Sequence, residues 1–239
     1  MPFFRKIKSI ITEVRVFLPL PARREGCPKG GVGQKMKYMN NLSNNNHHPN
    51  ALILSAGHSS RMGTPKWQLR MPTGEFFAGH LFRRFREFGC NVLIVVNSDD
   101  FAAISSDEEL KNIPLVLNSR PDLGRFYSLR CGLEELPDAS PCFIHNIDNP
   151  FAEPELLDVL QTALGDHDYV LPEYQGRGGH PLLISRAMVL QVLQHKEPWP
   201  DLRRFIENFH GKRVPVEFPQ ILFNINTPQD YQRFRESEI

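Results

Sequence analysis

Residues 51–66 read ALILSAGHSSRMGTPK, and they leave few folds open to the chain. A short apolar run, 51–54, breaks at once into Ser55, Gly57, Ser59, Ser60 and Gly63, with Arg61 and Lys66 five positions apart. Such a run, bounded by glycine and serine, reads as a buried strand ending in a ligand loop. Small residues let backbone N–H groups approach an anion closely, and the two cations then neutralise it, so phosphate is the expected guest. Two familiar phosphate loops are excluded. Five residues separate Gly57 from Gly63 and Lys66 follows Thr64-Pro65, so this is no Walker loop; Gly57 has no glycine two positions on, so it is no dinucleotide fingerprint. From composition alone, a plain Gly/Ser connection after a strand stands as the alternative.

Beyond that loop the pattern alternates strand with helix. Residues 76–88 place Phe77, Leu81, Phe82, Phe85 and Phe88 at helical spacing, with Gly89 to close the helix. NVLIVVN, 91–97, is apolar throughout, as a strand buried on both faces must be. Strands are expected at 113–117, 141–147, 169–171 and 181–184, and edge-like strands at 214–218 and 220–223. Helices are expected at 127–136, 154–164, 186–194, 202–209 and 228–235. This order implies a mostly parallel sheet with helices on both faces, whose ligands bind off the carboxyl ends of the strands.

At 239 residues the chain suits one α/β domain, expected over 50–239, preceded by an extension. Residues 1–49 hold a weakly amphipathic basic stretch, a Pro/Gly segment and the tract NNLSNNNHHPN, which reads as solvated linker. A disordered or weakly structured extension is expected there, with Met36 or Met39 as a candidate initiator and no metal site at His47 and His48. Folding and nucleotide binding are expected to survive removal of residues 1–39. Lys and Arg total 28 against 27 Asp and Glu, so no nucleic-acid or membrane-surface partner is expected. Cys27, Cys90, Cys131 and Cys142 form no CxxC pair and read as reduced thiols of a cytoplasmic protein. No apolar run approaches the length of a membrane span.

Four further segments carry candidate chemistry. HNIDNPF places Asp148 just after a strand, where a carboxylate is either a metal ligand or a turn former. NSRPDLGRFYSLRCGL, from Asn118, offers a glycine turn and a helix start, with Arg125 and Arg130 open between ligand contact and plain surface charge. QGRGGHPLLIS reads as a mobile glycine loop entering a strand, and LFNINTPQDY gives a helix start with Thr227 as N-cap and Pro228 at its first position.

The ordered set resembles the MobA-like nucleotidyltransferases over residues 51 to about 234. Residues 54–66 match that family's LAAGxSxRMGxxK loop, with Ser55 where alanine is commonest. Gly124, Ser128, Leu129, Gly132 and Leu133 match GxxxSLxxGL; 148–151 match the strand-terminal DxPF element; 179–181 match the GHP element of the cytidylyltransferase branch; 224–228 match NINTP of the guanylyltransferase-like branch. The resemblance implies a three-layer α/β/α, Rossmann-like fold and transfer of a nucleotidyl group from CTP or GTP to a phosphorylated small molecule, molybdopterin or a sugar phosphate. It implies nucleotide contacts at Leu54, Ser55, Ala56, Gly57, Ser59, Ser60, Arg61, Met62, Gly63, Lys66, Gly124 and Ser128. Arg61 and Lys66 would carry the catalytic charge and Asp148 would hold Mg2+. Asn226, where other members carry aspartate, is a doubtful second ligand. Gly179, His180 and Pro181 would lie on the acceptor side, His180 orienting rather than acting as a base, since an acceptor phosphate is already ionised. The rival readings are a non-catalytic nucleotide binder, left open by Asn226, and a Rossmann oxidoreductase, contradicted by the loop glycines.

Overall fold

The computed structural model describes residues 48–237, so the expectations for 1–47 lie outside the described residues. Eight strands form one sheet: β1 (Asn50–Ser55), β2 (Asn91–Val96), β3 (Leu115–Leu117), β4 (Cys142–Asn146), β5 (Tyr169–Tyr174), β6 (Arg177–Gly178), β7 (Leu182–Ile184) and β8 (Gly211–Pro215). Among the described residues seven α-helices accompany them: α1 (Phe77–Glu87), α2 (Ser98–Ser106), α3 (Gly124–Glu135), α4 (Pro154–Leu164), α5 (Arg186–Gln194), α6 (Leu202–Ile206) and α7 (Pro228–Glu236).

The strands run in the order β3-β2-β1-β4-β7-β5. β3, β2, β1 and β4 are mutually parallel, β7 is antiparallel to both its neighbours, and β8 adds in parallel to the far side of β5. β6 pairs with the end of β5 that β7 leaves free.

All six residues of β1 are buried, as the apolar run requires of a strand covered on both faces. Ala51 and Ile53 enter one core with Phe77, Leu81 and Phe85 of α1, Leu157 and Leu160 of α4, and Phe234 of α7. Leu52 and Leu54 enter the other, with Phe126, Leu129 and Leu133 of α3 and Met188 and Val192 of α5. Period-two alternation along one strand thereby feeds two separate cores, which is the three-layer α/β/α arrangement.

Most differences from the sequence reading are at boundaries. α2 is an addition: Asn97 caps it by accepting from the Asp100 N–H at 2.9 Å, and Asp99 and Asp100 sit favourably in its first turn. Of its nine residues only Asp100 and Ile104 are buried, too few to make a period. The edge strand expected at 214–218 lies at 211–215 as β8, and 220–223 is no strand. Pro219 instead opens a single 3-10 turn that buries Ile221.

Candidate active site

β1 delivers Ser55 and Ala56, both buried, to the carboxyl edge of the sheet. From Gly57 to Arg61 the backbone N–H groups donate to no other described residue. Ser59, at φ +49°, turns the chain so that its carbonyl accepts from Met62 N and Gly63 N. Met62 then drops into the core while Arg61 stays exposed. A single 3-10 turn, Lys66–Gln68, buries Trp67, whose Nε1 donates to Asp100 Oδ1 at 2.9 Å. Asn97 Nδ2 donates to the other oxygen of Asp100 at 2.8 Å. A loop rich in free N–H groups is thus fastened at both ends by buried side chains. Burial raises the Asp100 carboxyl above the ordinary aspartate range, and the bonds from Trp67 and Asn97 oppose that shift.

Lys66 reaches across the strand ends. Its Nζ donates to Asp148 Oδ2 at 3.0 Å and to Asn226 Oδ1 at 2.8 Å, joining its own motif to two others that lie 82 and 160 residues from it in sequence. Asp148 follows β4 in a turn closed by Asn149 N donating to the Asn146 carbonyl. Fully buried Asn149 spends its side chain on the carbonyls of Gln220 and Ile221, at 3.0 and 3.2 Å, and Ile225 N donates to the Asp148 carbonyl at 2.8 Å. Those bonds hold the segment bearing Asn226 beside the segment bearing Asp148.

Asp148 Oδ1 is buried and has no hydrogen-bond partner among the described residues. An orphaned carboxylate oxygen is costly unless a donor or cation meets it. Mg2+ is usually bound through one or two carboxylates plus substrate phosphates, so Asp148 beside a phosphate loop fits such an ion. Asn226 can add a neutral oxygen. Among the described residues no group of three or more His, Cys, Asp or Glu forms a cage, so an ion here would depend on the nucleotide's own oxygens.

The opposite wall comes from α3. Buried Asn118 donates to Ser128 Oγ at 2.9 Å, and that hydroxyl donates to the Gly124 carbonyl at 3.2 Å, fixing the first turn of the helix. The resulting cavity is about 380 Å³. Residues 54–61 line it except His58, together with Lys66, Gly124, Ser128, Asp148 and Asn226. Met62 and Gly63 do not line it, nor do Gly179, His180 and Pro181. Pro121, Arg125, Asn146 and Ile147 do, so Arg125 faces the cavity. Arg130 pairs instead with Glu134 at 2.7 Å and lies over the Trp199 ring. Asn146, Asp100 and Asn97 were not singled out from sequence; the only signal there is a polar residue at the end of an apolar strand for the two asparagines and an acid in the first turn of a helix for Asp100.

Segment 175–181 is more ordered than a free glycine loop. β6 lies within it, Gly179 N donates to the Pro172 carbonyl, and His180 N donates to the Ile221 carbonyl. A Cβ at Gly179 would stand 2.5 Å from the Ile221 carbonyl oxygen, so glycine is required by close approach.

A profile of the MobA-like NTP transferase domain matches residues 51–214. A probable molybdenum cofactor guanylyltransferase from Carboxydothermus hydrogenoformans is 25% identical over 76% of this chain and 92% of its own. The molybdenum cofactor cytidylyltransferase of Escherichia coli is 23% identical over 77% of this chain and 94% of its own. Rv0371c from Mycobacterium tuberculosis H37Rv shares the fold with a TM-score of 0.65 at 21% identity, over 80% of this chain and 98% of that one. The molybdopterin-guanine dinucleotide biosynthesis protein A of Archaeoglobus fulgidus does so with a TM-score of 0.60 at 20% identity, over 78% and 97%.

Proposed function

The chain belongs to the MobA-like NTP transferase family, and from that premise we propose that it moves an NMP group from CTP or GTP to a phosphorylated acceptor. An oxygen of the acceptor's phosphate attacks the α-phosphorus in line. One P–O bond forms, the bridging bond to the β-phosphate breaks, and pyrophosphate leaves with the electron pair. The attacking oxygen is already ionised, so no general base is needed. The work left to the protein is positioning and charge neutralisation.

The observation that carries this reading is the meeting of Lys66, Asp148 and Asn226 beside an anion loop of free N–H groups. Arg61 and the N–H groups of 57–61 would take the polyphosphate, and Lys66 would stabilise the charge that develops as the bond breaks. Bound at Asp148, Mg2+ would neutralise phosphate oxygens. The names of the two curated relatives, which print molybdenum cofactor, support molybdopterin as the acceptor and a role in molybdenum cofactor biosynthesis. A cytoplasmic location goes with that role; among the described residues no helix is long and apolar enough to cross a membrane.

Pyrophosphate release with Mg2+ tests the proposal, pairing each of the four NTPs with molybdopterin and with a panel of sugar phosphates. Turnover with one pair, abolished by Asp148→Ala and by Lys66→Ala, is the expected result. One observation favours a second reading, a nucleotide binder without turnover: the neutral Asn226 beside Asp148. NTP-dependent thermal stabilisation with no turnover for any acceptor would support it. Absence of both would overturn the assignment of the site.

A further inference from the structure

We propose that His180 is a positioning residue of the nucleotide site, acting through Asn146. The inference rests on the nucleotidyltransferase reading above and moves His180 from the acceptor side to the back of the nucleotide wall. Asn146 ends β4 directly opposite Leu54 of β1, and both line the cavity. Its Nδ2 lies 2.9 Å from His180 Nε2 and donates to it when that nitrogen carries the lone pair, the ring hydrogen then standing on Nδ1, which is buried and without a partner among the described residues. Its Oδ1 accepts from no described residue, yet it is not among the buried unpartnered atoms, so it is the end of the amide that opens to the cavity.

A carboxamide is a donor at one end and an acceptor at the other, so whatever meets the hidden end decides what the cavity meets. With a lone pair on His180 Nε2, the hidden end is the NH2 and the cavity is offered oxygen. A hydrogen on Nε2 would reverse the amide and offer the cavity NH2. The imidazole therefore sets the polarity of a group in the wall without reaching the substrate. His180 is itself held. Its backbone N–H is fixed to Ile221, and its ring packs edge-on to His145 at 5.9 Å between centroids. His145 is anchored in turn, its Nε2–H donating to the Asn149 carbonyl at 2.6 Å.

The exposed oxygen calls for a donor on the nucleoside, a ribose hydroxyl or an exocyclic base amine. Nucleotide dissociation constants with Mg2+ and no acceptor test this for CTP, GTP, ATP and UTP. His180→Phe keeps a ring but removes the acceptor, and Asn146→Leu keeps the shape but removes the amide. Each is expected to weaken the best nucleotide by about tenfold, the order of one hydrogen bond. The double variant should be no weaker than either single one, because the two residues act in series. His180→Gln, whose carbonyl can accept from Nδ2, should restore most of the affinity, which a loss of packing alone would not allow. Asn146→Ser serves if the leucine variant does not fold, with the same weakening expected.

The 2′-deoxy and 3′-deoxy nucleotides separate the two donors. A hydroxyl donor makes one analogue bind the wild type as weakly as the parent nucleotide binds Asn146→Leu; an amine donor leaves both analogues unaffected. If the wild type binds and Lys66→Ala weakens it while His180→Phe stays within twofold, the inference is overturned and the function stands. A raised acceptor KM with unchanged nucleotide affinity in His180→Phe also overturns it. A wild type that binds none of the four overturns both.

Discussion

At the scale of single residues, the proposed reaction asks Lys66 and Asp148 to serve the fold and the chemistry together. Their side chains are 13% and 14% exposed, enough burial that an unpaired charge is costly. Lys66→Ala should therefore lower both activity, by about 10²–10³-fold, and stability, by roughly 1–3 kcal/mol. The pair Lys66→Met with Asp148→Asn should recover much of that stability and none of the activity. Urea unfolding beside turnover separates the two effects. His145 gives a second prediction. Burial holds it neutral, first of all, and the nearby His180 adds to the shift, down to about 3. A histidine near 6.5 when unfolded and near 3 when folded contributes stability that is complete above about 6.5. That contribution is lost as pH falls from there toward 3, because the unfolded chain takes up the proton first. The denaturant midpoint should drop between pH 7 and 5, and the drop should be shallower in His145→Phe.

Among the elements, the short 3-10 turns and caps decide where the site residues stand. α7 begins with a capping box: Thr227 Oγ1 accepts from Asp230 N at 3.2 Å, and Asp230 Oδ2 accepts from Thr227 N at 2.9 Å. The same carboxylate oxygen accepts from Asn226 N at 3.1 Å, so the cap that starts the helix also sets the residue facing Lys66. Thr227→Ala should cost about 1 kcal/mol of stability. Nucleotide affinity should fall with it, which distinguishes this cap from that of α5, where Ser185 accepts from Met188 N. Both cap and proline were readable, because a helix start needs only local residues. The 3-10 turn at Pro219–Leu222 was not readable. Its apolar residues fit an edge strand equally well, and only the burial of Ile221 beneath Asn149 and Gly179 separates the two.

For the molecule as a whole, the chain's last helix is fastened to the segment that follows the anion loop. The Tyr231 hydroxyl accepts from Arg70 N and donates to the Arg70 carbonyl, both at 3.0 Å. Phe77 packs edge-on against Phe234 with centroids 5.4 Å apart, beside Tyr231. Tyr231→Phe leaves two backbone groups without their partner and should cost about 1–3 kcal/mol. Because the loop is separately pinned by Met62 and Trp67, kcat should change less than twofold. A large fall in kcat at temperatures where the protein remains folded would show that the C-terminal helix reaches into the chemistry.

What the sequence determined by itself was whatever local physics enforces. Two-sided apolar runs require covered strands, glycine and serine after β1 require an open loop, and proline after threonine starts a helix. Those features, in their order, placed β1, α1, β2 and α4; the resemblance to the MobA-like nucleotidyltransferases was what brought Lys66, Asp148 and Asn226 under suspicion together. The tertiary structure alone decided which polar residues face one another. Asn146 and Asp100 look in sequence like ordinary polar residues at strand and helix ends. They acquire roles because the sheet sets β4 beside β1, and because Trp67 is buried against the start of α2. His180 stood next to glycine in a recognisable string, yet the partner that determines its effect lies 34 residues away and is reached only through the fold. Hydrogen bonds between distant elements leave no periodicity and no local composition, so no reading of neighbours along the chain can find them.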